Sequence, residues 1–351
     1  MTATTATTAA DERRPLSLWD RFFFEPQSTA PMTLVRIVWG ALAALWALTL
    51  LPDIDPFLTE GALRYERDLP AGSWSPLEWV SWDGAPMAVC LLLLVTALTT
   101  MVGFRTRLSA VVAALCMITL QRGNSAIFNS GDLVMRQIGI AVALAPCGLL
   151  LSVDAVRARR RGFRGPAPWR APWAMRLLQL ELAIGYALSA WAKSRGETWH
   201  DGTALGMALR IEDLQRFVPP EWFFDQAEIL NALTWFTLLF EAGFVIAVWN
   251  RRLRPWVLGI GVAFHLGIDL FLDIGFFSMA MWTAYLAFVF PAAADRVISR
   301  WDKEGVGESA RTSKEMRPEE PSSPLDAPPG AAAGGLGVSP RSGPEGGFAD
   351  P

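Results

Sequence analysis

Few residues of this chain could do chemistry, and most lie where charge is costly. His265 stands in Phe264-His265-Leu266-Gly267-Ile268-Asp269, near the middle of an apolar run, with Asp269 one helical turn further on. At i,i+4 the imidazole and the carboxylate share a helix face, and imidazole titrates near neutrality. The pair reads either as a buried hydrogen-bonding unit that fixes helix packing or as a proton-handling or ligand-binding pair. Glu181 and Glu241 fall mid-run in two other apolar stretches. Charge inside lipid costs about 3 kcal/mol unless it is paired or hydrated, so both are expected to face a bundle interior. Lys193 closes a run in Ser189-Ala190-Trp191-Ala192-Lys193-Ser194-Arg195-Gly196. Such a lysine snorkels to the interface; desolvated, it gives up its proton and serves as a base or nucleophile. Asp132 and Arg136, again i,i+4, read first as an ion pair anchoring a helix start, and Arg122, Asn124 and Asn129 crowd the stretch just before them. Polar groups this dense beside a membrane suggest a hydrated pocket.

Other chemistry lacks its signature. The chain has no GxSxG, P-loop, GxGxxG or HExxH pattern. The second histidine, His200, lies in a loop, and Cys90, Cys116 and Cys147 sit inside apolar runs without CxxC spacing. Neither a disulfide framework nor a metal site is expected.

The elements that must position these residues are membrane helices. Hydrophobic residues make up 52% of the 351-residue chain and charged residues 19%, against about 25% charged in soluble domains. Mean hydropathy is +0.28. A net charge of −3 points to no nucleic-acid partner. The 16 tryptophans fit membrane–water interfaces, where ring and N–H each find a suitable neighbour. Spanning the hydrocarbon takes about 20 apolar residues, and eight runs qualify: 32–51, 86–104, 108–121, 133–151, 173–192, 229–249, 255–274 and 276–292. The third is short and weak. Lipid offers the backbone no partner outside the segment, so each is expected to be a helix.

Loop charges order the runs. Arg13, Arg14 and Arg21 precede the first; Arg105 and Arg107 join the second and third; Arg157, Arg159, Arg160, Arg161 and Arg164 join the fourth and fifth; Arg251, Arg252 and Arg254 join the sixth and seventh; Arg296 and Arg300 follow the last. Every second connection is basic, as cytoplasmic loops should be. Omitting the weak third run would put one basic cluster on the wrong side. Loops 52–85, 122–132 and 193–228 are then outside and both termini cytoplasmic, in a multi-pass inner (plasma) membrane protein. No signal peptide is expected ahead of the first run. Pro and Gly supply 17 of residues 302–351, too few large apolar residues remain to offset ordering entropy, and disorder is expected there. The expectation is an all-α polytopic bundle of about eight transmembrane helices: a cytoplasmic N-terminal segment over 1–30, a transmembrane domain over 31–300 and a disordered Pro/Gly-rich cytoplasmic tail over 301–351.

Four stretches carry a resemblance: Arg122-Gly123-Asn124 through Asn129-Ser130-Gly131-Asp132 to Leu151-Ser152-Val153-Asp154; Tyr186 through Lys193 with Trp199-His200-Asp201-Gly202; Glu241 before Arg251-Arg252; and Phe264-His265 with Ile274-Gly275-Phe276-Phe277. Over roughly residues 15–300 the chain resembles the horizontally transferred transmembrane (HTTM) family, the membrane part of vitamin K-dependent gamma-carboxylases. In the animal enzymes a lysine before a Trp-x-x-Gly stretch deprotonates vitamin K hydroquinone, the oxygenated quinone takes a glutamate γ-proton, and the carbanion captures CO2. The resemblance implies Lys193 as base and His265 as a second catalytic residue. It also implies a quinone pocket drawn from Arg122, Asn124, Asn129, Asp132, Arg136, Glu181, Tyr186, Trp199, Glu241 and Asp269. Two departures stand out: residues 302–351 take the place of a large extracytoplasmic domain, and Asn129-Ser130-Gly131-Asp132 lacks a histidine associated with that region. The implied activity is therefore a quinol-dependent carboxylase- or epoxidase-like one, with menaquinol or vitamin K hydroquinone as the reduced quinone. The alternative is a non-enzymatic membrane factor that matures, exports or confers immunity to a secreted peptide. The lipid bilayer is a partner in both, and a secreted peptide or protein substrate is a further one.

Overall fold

The computed structural model describes residues 17–59, 75–80, 82–124, 129–162 and 169–303. The tail expected to be disordered lies almost wholly outside these residues. Eight helices occupy the eight apolar runs: α1 (Ala30–Leu50), α2 (Ala85–Val102), α3 (Thr106–Gly123), α4 (Ser130–Leu144), α5 (Trp173–Lys193), α6 (Ala227–Ala247), α7 (Arg254–Phe271) and α8 (Phe277–Tyr285). The weak third run forms a full 18-residue helix.

Local chemistry sets the ends. Pro31, Pro86 and Pro255 stand in the first turns of α1, α2 and α7, where their missing N–H removes no intrahelical bond. α2 stops at Gly103, which takes a left-handed φ of 71° and donates its N–H to the Thr99 and Thr100 carbonyls. α4 opens on a capping box, Asn129 with Asp132. It ends seven residues before the apolar run does, because Ala145 is held extended ahead of Pro146. The last run is interrupted too. A 3-10 turn at Leu286–Phe288 follows α8, and the chain then bends by 106° into Pro291–Ile298.

Among the described residues three helices are long and apolar enough to cross a membrane: Ala30–Leu58, Ala85–Val102 and Ala227–Ala247. A fourth is reached if the bent pair Phe277–Phe288 and Pro291–Ile298 is one span. The others fall short for identifiable reasons. α4 has only 15 residues, and α5 carries Arg176, Glu181 and Lys193. Both helices contribute to the site described below, together with the apolar α6.

Small residues let the helices approach. A methyl group at Gly40 would sit 2.8 Å from Met101 Cα, and one at Gly261 would sit 2.6 Å from the Tyr285 hydroxyl, so glycine is needed at both crossings. Trp39 is fully buried between α1 and α4 and donates its indole N–H to the Met135 carbonyl at 2.8 Å.

The end bearing the basic loops is tied by charge. Arg36, fully buried in the first turns of α1, donates to the Thr100 carbonyl (3.1 Å) and the Leu151 carbonyl (2.7 Å). Asp302 accepts from the Leu151 N–H at 2.9 Å and pairs with Arg159 at 3.1 Å. Leu151 is thus held from both sides, which supports its left-handed φ of 44°. Asp154 caps α3 by accepting from the Arg105 and Thr106 N–H groups and the Thr106 hydroxyl. Ser28 donates to Asp295 at 2.7 Å.

Candidate functional site

At the opposite end, α4, α5, α6, α7 and α8 surround a cavity of about 1000 Å³ with a mostly apolar lining. Ile184 and Leu188 of α5 and Ile260 of α7 line it and are exposed.

Its polar groups cluster on one wall. Lys193, in the last turn of α5, forms an ion pair with Glu241 of α6 and donates to the Ser189 hydroxyl at 3.0 Å. Its ammonium also lies 5.1 Å from the centre of the Trp199 ring, a cation–π distance. Ser189 and Lys193 meet because they are i,i+4 on α5. Glu241 is only 6% exposed in its side chain against 24% for Lys193. Its second oxygen, Oε2, is buried and has no partner among the described residues.

A second polar unit runs beside the first. Tyr186 of α5 shares hydrogen bonds with Tyr285 of α8 and, at 2.8 Å, with His265 Nε2 of α7. His265 is 1% exposed, lines the cavity, and leaves Nδ1 without a partner. Ser278 donates to its backbone carbonyl at 3.0 Å, tying α7 to α8. Aromatic rings enclose the unit: Phe244 lies 4.3 Å from Tyr186 and Phe277 5.3 Å from His265, centroid to centroid.

Of the residues singled out in the sequence, Glu181, Tyr186, Lys193, Trp199, Glu241 and His265 line this cavity. The other six do not. Asn129 and Asp132 instead form the capping box of α4, and Asp132 also accepts from the Trp46 indole at 2.8 Å. Both Asp132 oxygens are so engaged that the helix start is anchored by Asn129 and Trp46, with the Arg136 charge acting from further off. Asn124 donates to the Phe57 carbonyl at 2.7 Å and joins the end of α3 to the Ile54–Leu58 helix. Arg122 and Arg136 are half-buried outside the cavity lining. The expected His265–Asp269 pair is replaced by two separate contacts. Asp269 lies one turn nearer the helix end, where Arg216 bridges it (3.1 Å) and Asp273 (2.9 Å). Glu181 lines the cavity with an exposed side chain, and has no hydrogen bond or ion pair among the described residues.

The Arg216 lacing closes the end of α7, with Arg216 and Asp273 themselves outside the helices. Gln215 bridges to Leu272, the Arg216 N–H donates to the Phe271 carbonyl at 2.9 Å, and the Asp273 N–H donates to the Leu214 carbonyl at 2.7 Å. The Arg216 hydrogen bond holds the Asp273 carboxyl below its ordinary value, and Asp273 in turn raises the guanidinium.

Three contributors were not singled out in the sequence: Ser189, Arg216 and Tyr285. Tyr285 carried a signal, being one of only three tyrosines and lying inside an apolar run. Among the described residues no three His, Cys, Asp or Glu side chains come together to hold a metal. The wall instead brings together an ammonium, a carboxylate and an imidazole.

A family model described as the HTTM domain matches residues 24–292, well over half of the chain. No curated protein and no solved structure matches the chain.

Proposed function

The chain belongs to the HTTM domain family, and from that premise we propose that it is a membrane enzyme whose cavity takes a reduced quinone, menaquinol or vitamin K hydroquinone, with Lys193 as the base. One observation carries the reading: the Lys193–Glu241 pair stands in the wall of a large, mostly apolar cavity. The residues fit such a molecule. A volume of about 1000 Å³ is at the upper end of small-molecule sites, and its mostly apolar lining suits a ligand that arrives from lipid. Glu241 Oε2 is buried and has no partner among the described residues.

A reduced quinone supplies an acidic phenol and the two electrons that oxygen takes up. The protein's part is proton handling. Lys193 passes a proton to the Glu241 carboxylate it already contacts, and the resulting neutral amine takes the phenolic proton. Ser189 and Trp199 keep the amine in place. Carboxylase- or epoxidase-like chemistry both begin with this step, and a secreted peptide or protein would be the acceptor in the first.

The topology proposed with it has eight spans in the inner (plasma) membrane and both termini in the cytoplasm. The cavity lies at the ends of α5 and α7 that lead into 193–228 and 272–276, away from the basic loops, so it faces outward. Cysteine labelling of intact cells tests this: positions in 201–216 should react and positions in 157–161 should not, and the reverse result would invert the topology.

Activity is tested with the purified full chain in nanodiscs, given chemically reduced menaquinone or vitamin K, oxygen and bicarbonate. Quinone epoxide, measured by mass spectrometry, should form with the natural chain and not with Lys193→Ala. No epoxide above that variant, with both folded, would end the enzyme reading and favour the peptide-factor role.

A further inference from the structure

Between Arg216 and α6 the chain runs Phe217-Val218-Pro219-Pro220-Glu221-Trp222-Phe223-Phe224. Both ends of this stretch are fixed. Leu214 to Arg216 are laced to the end of α7, and α6 begins at Ala227. The side chains divide between two sides. Phe223 lines the cavity and stacks on Phe271 of α7, with ring centroids 6.4 Å apart and the planes 11° from parallel. Phe224 lies under the Arg210 guanidinium, 4.3 Å from it to the ring centre. Phe217, Val218 and Trp222 are 58%, 70% and 63% exposed, and none of them lines the cavity. The turn that covers the cavity with Phe223 thus leaves the adjacent Trp222 outside it.

Large apolar groups gathered in a short exposed stretch mark an interaction surface. The helix ends on either side say which. Ile229, in the first turn of α6, is 46% exposed and Leu270, in the last turn of α7, is 48% exposed. α6 is long and apolar enough to cross a membrane, so the exposed residues of the stretch continue the surface such a helix turns to lipid. Charge narrows the lipid. From Phe217 to Glu228 the chain carries Glu221, Asp225 and Glu228, all exposed, and no lysine or arginine. Nothing here attracts an anionic headgroup, and binding falls to apolar burial, at the depth where tryptophan settles. We propose that residues 217–222 are an interfacial anchor, with Phe217, Val218 and Trp222 seated among the neutral lipids of the outer leaflet, and that it holds the cover of the cavity at the membrane surface. The inference rests on the outward placement of 193–228 proposed above, not on the identity of the ligand.

Depth is measurable residue by residue in the full chain. The three natural cysteines are buried, so a single introduced cysteine takes a nitroxide reagent, with the protein in phosphatidylcholine nanodiscs. Nitroxides on Phe217→Cys, Val218→Cys and Trp222→Cys should collide more often with oxygen, which concentrates in lipid, than with a water-soluble nickel chelate. Asp213→Cys, exposed just before the lacing, should show the reverse order. All four side chains are exposed, so the variants should fold like the natural chain. Oxygen-to-nickel ratios at the three positions no higher than at Asp213 would put the stretch in water and overturn the proposal. Shielding from both quenchers would overturn it in favour of a second copy or another protein covering the stretch. Lipid contact that appears only once phosphatidylglycerol is added would overturn it as well, because the anchor is assigned no attraction to charge. No ligand is added, so a missing epoxide faults the enzyme reading and leaves the anchor standing. A mistaken topology shows separately, in the intact-cell labelling of 201–216.

Discussion

Where the basic loops gather, Arg36 spends two of its nitrogens on main-chain carbonyls, Asp302 serves both Leu151 and Arg159, and Asp154 takes three donors; of these charged groups, Arg36 Nε has no partner among the described residues. At the cavity end the charges are as deeply placed but half-used. Glu241 offers one oxygen to Lys193 and keeps the other open, and His265 offers Nε2 to Tyr186 and keeps Nδ1 open. The first arrangement gives charges the partners that make burial tolerable. The second leaves two buried atoms unpartnered in the wall of one large cavity, at about 1–3 kcal/mol each. On the proposed reading, polarity in these helices has two uses, fastening and reception, and the half-used charged groups stand in residues that line the cavity.

The sharpest way to break the contrast is at Lys193. Lys193→Ala should lower quinol turnover by about 10²–10⁴-fold, the usual scale of general acid–base catalysis. It also strands the Glu241 carboxylate, so the melting temperature should fall and recover in Lys193→Ala/Glu241→Gln, while turnover does not. A double variant as unstable as the single one would show the pair to be a fastening like those at the other end. Next comes Arg36→Met, which leaves the Thr100 and Leu151 carbonyls unserved. A loss of about 3 kcal/mol or more in denaturant unfolding is expected, with the Michaelis constant for quinol unchanged in whatever fraction folds. Retained stability would remove the fastening role assigned to that end.

Much of the helical layout is legible in the sequence, because one period governs it. Each apolar run became a helix, and the pre-proline residues Ala145 and Phe290 explain where the fourth and eighth runs break. The Asn129…Asp132 spacing of a capping box was legible too, though its polarity was read as part of a pocket. The site itself was only partly legible. Lys193 and Glu241 are 48 residues apart, and Tyr186 and Tyr285 are 99 apart, so their pairing follows from how the helices pack and not from any local pattern. The i,i+4 rule placed Asp269 on the face of His265 correctly but could not foresee Arg216 arriving from a loop. Arg36 went unremarked because the run around it is apolar enough to hide one charge.

Smaller effects sharpen the boundary between the two uses. Asn129→Ala removes a helix cap at the cavity end and should cost about 1 kcal/mol. Turnover per folded molecule should stay the same, since Asn129 lies outside the cavity lining. A large drop in turnover without a change in stability would return Asn129 to the pocket.

The smallest effect concerns pH and the lacing of 214–216 to the end of α7. Arg216 holds the Asp273 carboxyl below its ordinary value of 3.8. A depressed carboxylate stabilises the folded form above the unfolded value, and that contribution disappears as pH falls through the folded one. Acidification from neutrality to just above 3.8 should therefore leave the lacing intact, and loosening should begin only below it. The Asp273 side chain is 60% exposed and that of Arg216 35%, so solvent screens the pair and the effect stays local. Hydrogen exchange of the Arg216 and Asp273 amides, corrected for intrinsic rates at each pH, reads it directly, because both amides bridge the two strands of the lacing. Arg216→Met should move the midpoint of loosening up toward 3.8. A midpoint that ignores the substitution would mean that the backbone bridge holds itself, and that this ion pair, unlike those around Arg36, fastens nothing.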